Sequence, residues 1–380
     1  MYDKILIRFG ELSTKGKNKI SFIKQLEINI KKLMGVEPEV LYDRMFLDYS
    51  EENMKGLQKI FGIYSYSPVM SVNTNIEDIK EATLKIAEEK KDAKTFKIAA
   101  KRHWKNFEMN SSELNMMLGG VVLDKHDFSV DVRNPELKIE LEVREGKSYM
   151  FYERIKAQGG YPVGINGKVL HLISGGIDSP VAAFELMKRG LHVDYLSFVS
   201  PPFTDEKTIK KVNKIVDFLN EYQVKTYLNR IQYTDLMNNI GLTSKQSYKI
   251  TLMRRSFYRM ANTIADAKGY LALANGENIG QVASQTLESI NVIQEQSKLP
   301  ILRPVLTADK IDTINKAIKI GTYDISIEQA NETCELFAPK SPVTKPDILM
   351  AYNLEKELSN LEELESKAIE EMVIEKHLIK

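Results

Sequence analysis

The chain has 380 residues, 43% of them hydrophobic, enough to bury two or three cores rather than one, and a net charge of +1, so bulk charge names no partner. A single cysteine, Cys334, excludes an intramolecular disulfide, a four-cysteine zinc site and a multi-cysteine iron–sulfur site. The opening MYDKILIRFGE reads as a strand rather than a secretion signal. No apolar run approaches the roughly 20 residues of a membrane span, so a soluble cytoplasmic protein with no membrane partner is expected.

In chain order, DKILIRF (3–9) reads as a strand. Residues 18–34 place Ile20, Ile23, Leu26, Ile30 and Leu33 at helical spacing, and 39–49 read as a strand in one piece or two. The first 55 residues thus form a small β–α–β–β unit. Residues 56–157 repeat the mixture: strands GIYSYSPVMSV and TFKIAAKR, a helix in NIEDIKEATLKIAEEKK, then a run of strands from Phe128 to Ile155 with turns at Asn134-Pro135 and Glu145-Gly146. The glycine-rich, uncharged 158–167 reads as a linker. Beyond it strands KVLHLI, LHVDYLSFV, QVKTYLNRI and YLALANG alternate with helices at 180–189, 205–221, 247–267 and 278–290. Such alternation predicts an α/β domain over 168–346, a parallel sheet covered on both faces. The tail, 347–380, carries nine acids against four bases and reads as a packed pair of helices.

Where KVLHLI meets its helix stands SGGIDS (174–179). Ligands of parallel α/β sheets bind beyond the carboxyl ends of the strands. There Gly175 and Gly176 allow unusual backbone angles and close backbone approach, Ser174 and Ser179 add hydroxyls, Ser179 can cap the helix and Pro180 suits its first turn. With the helix dipole this makes an anion site suited to phosphates. Asp178 would repel phosphate directly and makes sense as a ligand of a Mg2+ ion bridging the phosphates. The chain contains neither GxxxxGK[ST] nor GxGxxG. An ordinary turn with two glycines is the plain alternative.

SGGxDS resembles the PP-loop of the ATP-pyrophosphatase superfamily. ILIRFGELSTKGKN, GGYPVG, SGGIDSPVAAFELMKRG, SPPFT, MRR, NGENIGQVASQTLESI, LPILRPV and PKSPVTKP, in this order, resemble the tRNA 4-thiouridine synthetase (tRNA sulfurtransferase) family from about residue 4 to 346. The resemblance implies a ferredoxin-like domain (1–55), a tRNA-binding THUMP domain (56–157), a doubly wound PP-loop domain (168–346), and ATP as substrate. It also implies adenylation of a tRNA uridine at O4, at position 8, followed by sulfur displacing AMP, and sulfur supply for thiamine thiazole synthesis. Leu172 and Ile173, and Ser197 and Phe198, match the family's adenine-contact positions; Arg254 matches the arginine of its MRR motif; Gly276 and Gln285 match further nucleotide positions. Lys310 matches a lysine tied to activity, which could stabilise departing pyrophosphate. Cys334 matches a sulfur-transfer cysteine, as persulfide carrier or resolving thiol, with Lys340 nearby to favour a thiolate.

Many members add a rhodanese domain with a persulfide cysteine; this chain ends at 380 without one. Sulfur is therefore expected from a separate cysteine desulfurase or a small ubiquitin-like carrier. A homodimer would let a tRNA end and the modified base contact different subunits. Three basic stretches break the neutral average: 13–33 with Lys15 and Lys17, 94–105 with Lys101, Arg102 and Trp104, and 242–265 with Lys245, Lys249, Arg254, Arg255 and Arg259. Together they read as an RNA surface, with Trp104 either stacking on a base or filling core. The competing readings are another PP-loop RNA-modifying or small-molecule ligase, and a non-catalytic tRNA-binding protein.

Overall fold

A computed structural model describes residues 2–330 and 337–379. By internal contacts the chain divides into two units, Met1–Gly160 and Tyr161–Lys380.

The first unit contains β1 (Lys4–Phe9), α1 (Lys19–Met34), β2 (Glu39–Val40), β3 (Arg44–Asp48), α2 (Glu51–Gly56), β4 (Ile63–Asn73), α3 (Ile76–Glu89), β5 (Thr95–Arg102), α4 (Ser111–Leu123), β6 (Ser129–Val130), β7 (Leu137–Val143), β8 (Lys147–Phe151) and β9 (Ile155–Lys156). Among the described residues these strands make one sheet of nine, ordered β2-β3-β1-β4-β8-β7-β5-β6 with β9 also on β4. The long β4 joins the two halves: Ile63–Val69 pair with β1, and Met70–Asn73 with β8. Ile79 and Ile86 of α3 and Leu114, Leu118 and Val122 of α4 close a core against Ile98, Ile139 and Leu141 of the sheet.

Helix α4 was not read from the sequence. Gly119 and Gly120 lie within it, and its run of apolar residues leaves no polar stripe to mark a period. The missed signal is its start: the Asn110 side chain accepts from the Glu113 N–H while the Glu113 side chain accepts from the Asn110 N–H, a capping box.

The second unit continues with β10 (Lys168–Leu172), α5 (Asp178–Lys188), β11 (His192–Val199), α6 (Glu206–Asn220), β12 (Lys225–Gln232), α7 (Thr234–Gly241), α8 (Lys249–Lys268), β13 (Ala272–Ala274), α9 (Leu287–Gln294), β14 (Ile301–Leu302), α10 (Lys310–Ile320), α11 (Tyr323–Ser326), α12 (Ile348–Glu357), α13 (Leu361–Glu370) and β15 (Val373–Leu378). The sheet runs β14-β13-β10-β11-β12-β15, parallel except for β15. Leu170 and Leu172 of β10, Leu196 and Phe198 of β11, and Ile231 of β12 alternate onto the face that α8 covers.

From β10 the chain winds outward through β11 and β12, then crosses back to place β13 on β10's other side. This reversal opens a crevice at the carboxyl ends of β10 and β13, the position where doubly wound sheets bind ligands.

Two segments differ from the sequence reading. Residues 275–282 are loop and α9 starts only at Leu287, capped by Thr286; the expected helix start at 278 falls within loop held to the segment after β14. The tail's two helices form, but its last segment is strand β15, which completes the sheet edge against β12.

The basic stretch on α8 is corrected as well. Arg255 is 0% exposed and is held by Glu295 and Glu355, and Arg259 is paired with Glu355 and Glu365. The acidic tail thus supplies much of the counter-charge of α8, and the fully buried Arg255 is no part of an RNA surface.

Candidate nucleotide-binding cleft

Strand β10 ends at Leu172 and α5 begins at Asp178, so the SGGIDS segment makes the tight strand-to-helix turn. Ser179 does not cap the helix, because it already lies inside it. Its Oγ accepts the Ser174 N–H at 3.2 Å and so ties the start of the loop to the first helical turn. Neither Gly175 nor Gly176 has a positive φ. What glycine contributes here is the missing Cβ, and the Gly176 N–H donates to Ser174 Oγ at 3.3 Å. Beneath the loop lies His171, fully buried, whose Nε2 donates to the Ser179 carbonyl at 3.0 Å. Burial pushes this imidazole down to about 4, so it is the neutral form that braces the turn.

Around this turn lies a cleft of about 200 Å3, lined by all twelve nucleotide positions named from the sequence: Leu172, Ile173, Ser174, Gly175, Gly176, Asp178, Ser179, Ser197, Phe198, Arg254, Gly276 and Gln285. They come from β10 and its loop, β11, α8 and the loop after β13. Leu172 and Phe198 face both ways, packing on the core under α8 while lining the cleft. Ser197 is buried. Gln285 is 9% exposed and its Oε1 has no hydrogen-bond partner, leaving a buried acceptor in the cleft for a ligand N–H or O–H.

The reason for glycine at 276 differs from the expected one. A Cβ there would lie 2.7 Å from Ser179 Cα and N and 2.8 Å from the Asp178 carbonyl carbon. The close approach is therefore to the start of α5, and it locks the post-β13 loop onto the phosphate-type turn. Gly276→Ala is expected to cost about 1–3 kcal/mol of stability as the two backbones are forced apart. An unchanged denaturant midpoint would show that the contact is slack.

Sequence reasoning missed the polar floor of the cleft. Glu277, 2% exposed, pairs with Arg254 at 2.9 Å and with Arg303 at 2.7 Å. Burial pushes its carboxyl up, but the two arginines outweigh that and hold it below the ordinary range. Asn275 accepts the Glu277 N–H and donates to Tyr258 Oη at 2.6 Å. The one acid in NGENIGQVASQT was the available signal. Thr208 and Val212 of α6, and Phe257 of α8, also line the cleft without having been anticipated.

At the rim the structure joins two residues that the sequence singled out separately. Lys310 Nζ, at the first residue of α10, donates to both carboxylate oxygens of Asp178 at 2.8 Å, and Gln281 Nε2 donates to Oδ2 at 2.9 Å. Among the described residues no cluster of three or more His, Cys, Asp or Glu could hold a metal. The donor set therefore fits at most a Mg2+ ion that takes one carboxylate from the protein and its other oxygens from phosphate and water.

In the first unit, Lys17 and Lys101 are exposed, Lys15 lies 4.9 Å over the Phe22 ring, and Arg102 donates to the Phe107 carbonyl. Trp104 is half-buried against the core under α3 and α4, which favours the core role for much of its ring. Cys334 lies outside the described residues.

A strand–SGGxDS–helix turn at the switch point of a doubly wound sheet defines a PP-loop nucleotide-binding domain, here in a chain whose other unit is an α/β sheet module. Three family models match consecutively: the ferredoxin-like domain of ThiI over 4–67, the THUMP domain over 73–153, and Thiamine biosynthesis protein (ThiI) over 164–360. The chain is 56% identical to a probable tRNA sulfurtransferase of Mycoplasmopsis agalactiae, covering 97% of each, and 51% identical to one of Metamycoplasma arthritidis, covering 98% of each. A crystal structure of a 4-thiouridine synthetase–RNA complex with bound ATP superposes with a TM-score of 0.93 at 35% identity, over 99% of this chain and 100% of that one. A Pyrococcus horikoshii structure at 22% identity and TM-score 0.66, covering 84% of this chain and 99% of its own, shares the fold. This chain belongs to the ThiI family of tRNA sulfurtransferases.

Proposed function

We infer that this chain binds ATP in the cleft, adenylates a tRNA uridine at O4, at position 8, and replaces that oxygen with sulfur to give 4-thiouridine. The observation that carries the reading is the convergence of four chain segments singled out in the sequence, together supplying twelve residues, on one cleft around SGGIDS. The relatives named tRNA sulfurtransferase and the ATP- and RNA-bound 4-thiouridine synthetase support it.

In this reading the loop N–H groups and the start of α5 receive the phosphates of ATP, with base and ribose against Leu172, Ile173 and Phe198 and within reach of Gln285 Oε1. The uracil O4 attacks the α-phosphorus, the bond to the bridging oxygen breaks, pyrophosphate leaves and the base loses its N3 proton. Adenylation turns a poor leaving oxygen into a good one. Lys310 places its charge where negative charge grows on the departing pyrophosphate. A Mg2+ ion at Asp178 would add further neutralisation of the phosphates. The terminal sulfur of a persulfide then attacks C4 and AMP departs, leaving a base–S–S–donor linkage. A thiol opens that linkage, freeing the thiocarbonyl and forming a disulfide that an external thiol must reduce. Cys334 is placed in this second half, as persulfide carrier or resolving thiol.

The persulfide comes from a cysteine desulfurase, directly or through a small ubiquitin-like carrier, and the same sulfur would serve thiazole synthesis. Lys15, Lys17, Lys101, Arg102 and the exposed edge of Trp104 hold tRNA, and a homodimer would present a tRNA end and its target base to different subunits. No described helix is long and apolar enough to cross a membrane. We place the reaction in the cytoplasm, where ATP, tRNA and desulfurase meet.

The test supplies the chain with ATP, unmodified tRNA, a desulfurase and cysteine, and follows pyrophosphate release and the near-ultraviolet absorbance of thiolated tRNA. Both are expected. RNA-independent release that needs a small acid would identify a different ligase, and no release at all would leave only an RNA-binding protein. Cys334→Ser is expected to keep tRNA-dependent pyrophosphate release while the absorbance stays at background. Thiolation at the wild-type rate would remove the cysteine from the mechanism.

A further inference from the structure

We propose that Phe203 is the platform on which the target uracil stacks as it enters the cleft, a specificity-determining contact of the reaction inferred above and resting on that reading. The residue sits in the turn between β11 and α6. Cleft-lining residues bracket that turn on both sides, Ser197 and Phe198 before it and Thr208 and Val212 after it, so residues 200–205 join two cleft-lining segments at the carboxyl end of the sheet.

The turn is firmly held. The Ser200 N–H donates to Thr204 Oγ1 and the Thr204 N–H to the Ser200 carbonyl, both at 2.9 Å, with both residues buried. Thr234 Oγ1 donates to the Pro201 carbonyl at 2.7 Å, and the Asp205 side chain caps α6. Yet Phe203, at the apex, is 48% exposed. A braced turn that anchors its polar residues and presents a large aromatic ring to solvent is a fixed surface rather than a loose end.

Of the four exposed aromatic side chains among the described residues, Tyr42, Tyr64, Phe203 and Tyr352, only Phe203 belongs to a segment flanked by cleft-lining residues. The aromatics inside the cleft are already engaged. Phe198 and Phe257 stack on each other at 3.7 Å with planes 7° apart, and Tyr258 Oη is bonded to Asn275. O4 of uracil can reach the α-phosphate only if the base leaves its own stack, and a base so exposed is held by a ring face in its place. Phe203 offers such a face on a turn whose two flanks line the cleft.

The experiment uses the full chain and tRNA that already carries 4-thiouridine at the modified position, a base that crosslinks to its neighbours under near-ultraviolet light. The crosslink is expected in the peptide containing Phe203, to fall at least fivefold in Phe203→Ala and to persist in Phe203→Tyr. In turnover, Phe203→Ala is expected to lower kcat/KM for tRNA by about tenfold or more, with ATP affinity unchanged and Phe203→Tyr near wild type. A crosslink elsewhere, or wild-type kcat/KM in Phe203→Ala, overturns the proposal. An equal loss of ATP affinity makes Phe203 a wall of the nucleotide cleft and overturns it. A defect confined to sulfur transfer, with adenylation intact, makes it a docking point for the donor protein and also overturns it. Crosslinking needs no turnover, so it reports on Phe203 even where the wild-type chain releases no pyrophosphate, the outcome that would defeat the functional reading instead.

Discussion

Asp178→Asn is expected to lower tRNA-dependent pyrophosphate release by about 10^2–10^3-fold, roughly 3–4 kcal/mol of transition-state stabilisation, with the fold intact. Asp178 is the first residue of α5, at the turn itself, and its carboxylate is the anchor of Lys310. Asparagine keeps the volume and can still meet Gln281, but it removes the charge that holds Lys310 at the rim and a carboxylate that could serve a cation there. The side chains of this pair are 16% and 43% exposed, so the effect is expected on catalysis rather than on stability. A double-mutant cycle with Lys310→Met separates two roles. If Asp178 acts only by holding Lys310, the double variant is no worse than either single one. If it also neutralises phosphate, the double variant is slower than both. Wild-type release in Asp178→Asn would show that the turn is not the reacting centre.

Arg255→Met is expected to destabilise the second unit by about 3–5 kcal/mol, a fall of roughly 6–20 °C in Tm for a unit of this size. The guanidinium is 0% exposed. It meets Glu355 through Nε and Nη2 at 3.0 Å each, donates to the Val292 carbonyl at 2.6 Å and to Glu295 at 3.2 Å, and lies 4.7 Å from the centre of the Tyr352 ring. Methionine leaves Glu355 in a site where its side chain is 11% exposed, with Arg259 as its remaining partner, and strands the Val292 carbonyl. Much of the cost is the uncompensated charge, so Arg255→Met with Glu355→Leu is expected to recover a large part of it. The salt dependence of tRNA binding is expected to stay as in wild type, because this charge is already neutralised inside the protein. A shallower salt slope would return Arg255 to the RNA surface.

Features encoded within a few neighbouring residues were legible. The strand–SGGIDS–helix turn, the periodic stripes of α1, α3 and α6, and the apolar strands of the second sheet all appear where local pattern placed them. Helix α4 escaped because two glycines and an unbroken apolar run hide its period, although its capping box was in plain view. Strand β15 escaped because an acidic, helix-favouring tail forms a strand only when β12 offers an unpaired edge.

Sequence alone thus determined the kind of chemistry. A turn of small residues between strand and helix presents backbone N–H groups whatever surrounds it, since that geometry is set by residues within one turn of each other. Tertiary structure alone decided how the charges are used. Asp178 meets Lys310 across 132 positions, Arg255 meets Glu355 across 100, and Gly276 touches Ser179 because β13 returns beside β10. Coulomb attraction and close packing act over a few ångströms of space and are indifferent to distance along the chain. An arginine-bearing helix and an acid-rich tail therefore read as two surfaces until the fold brings their charges together.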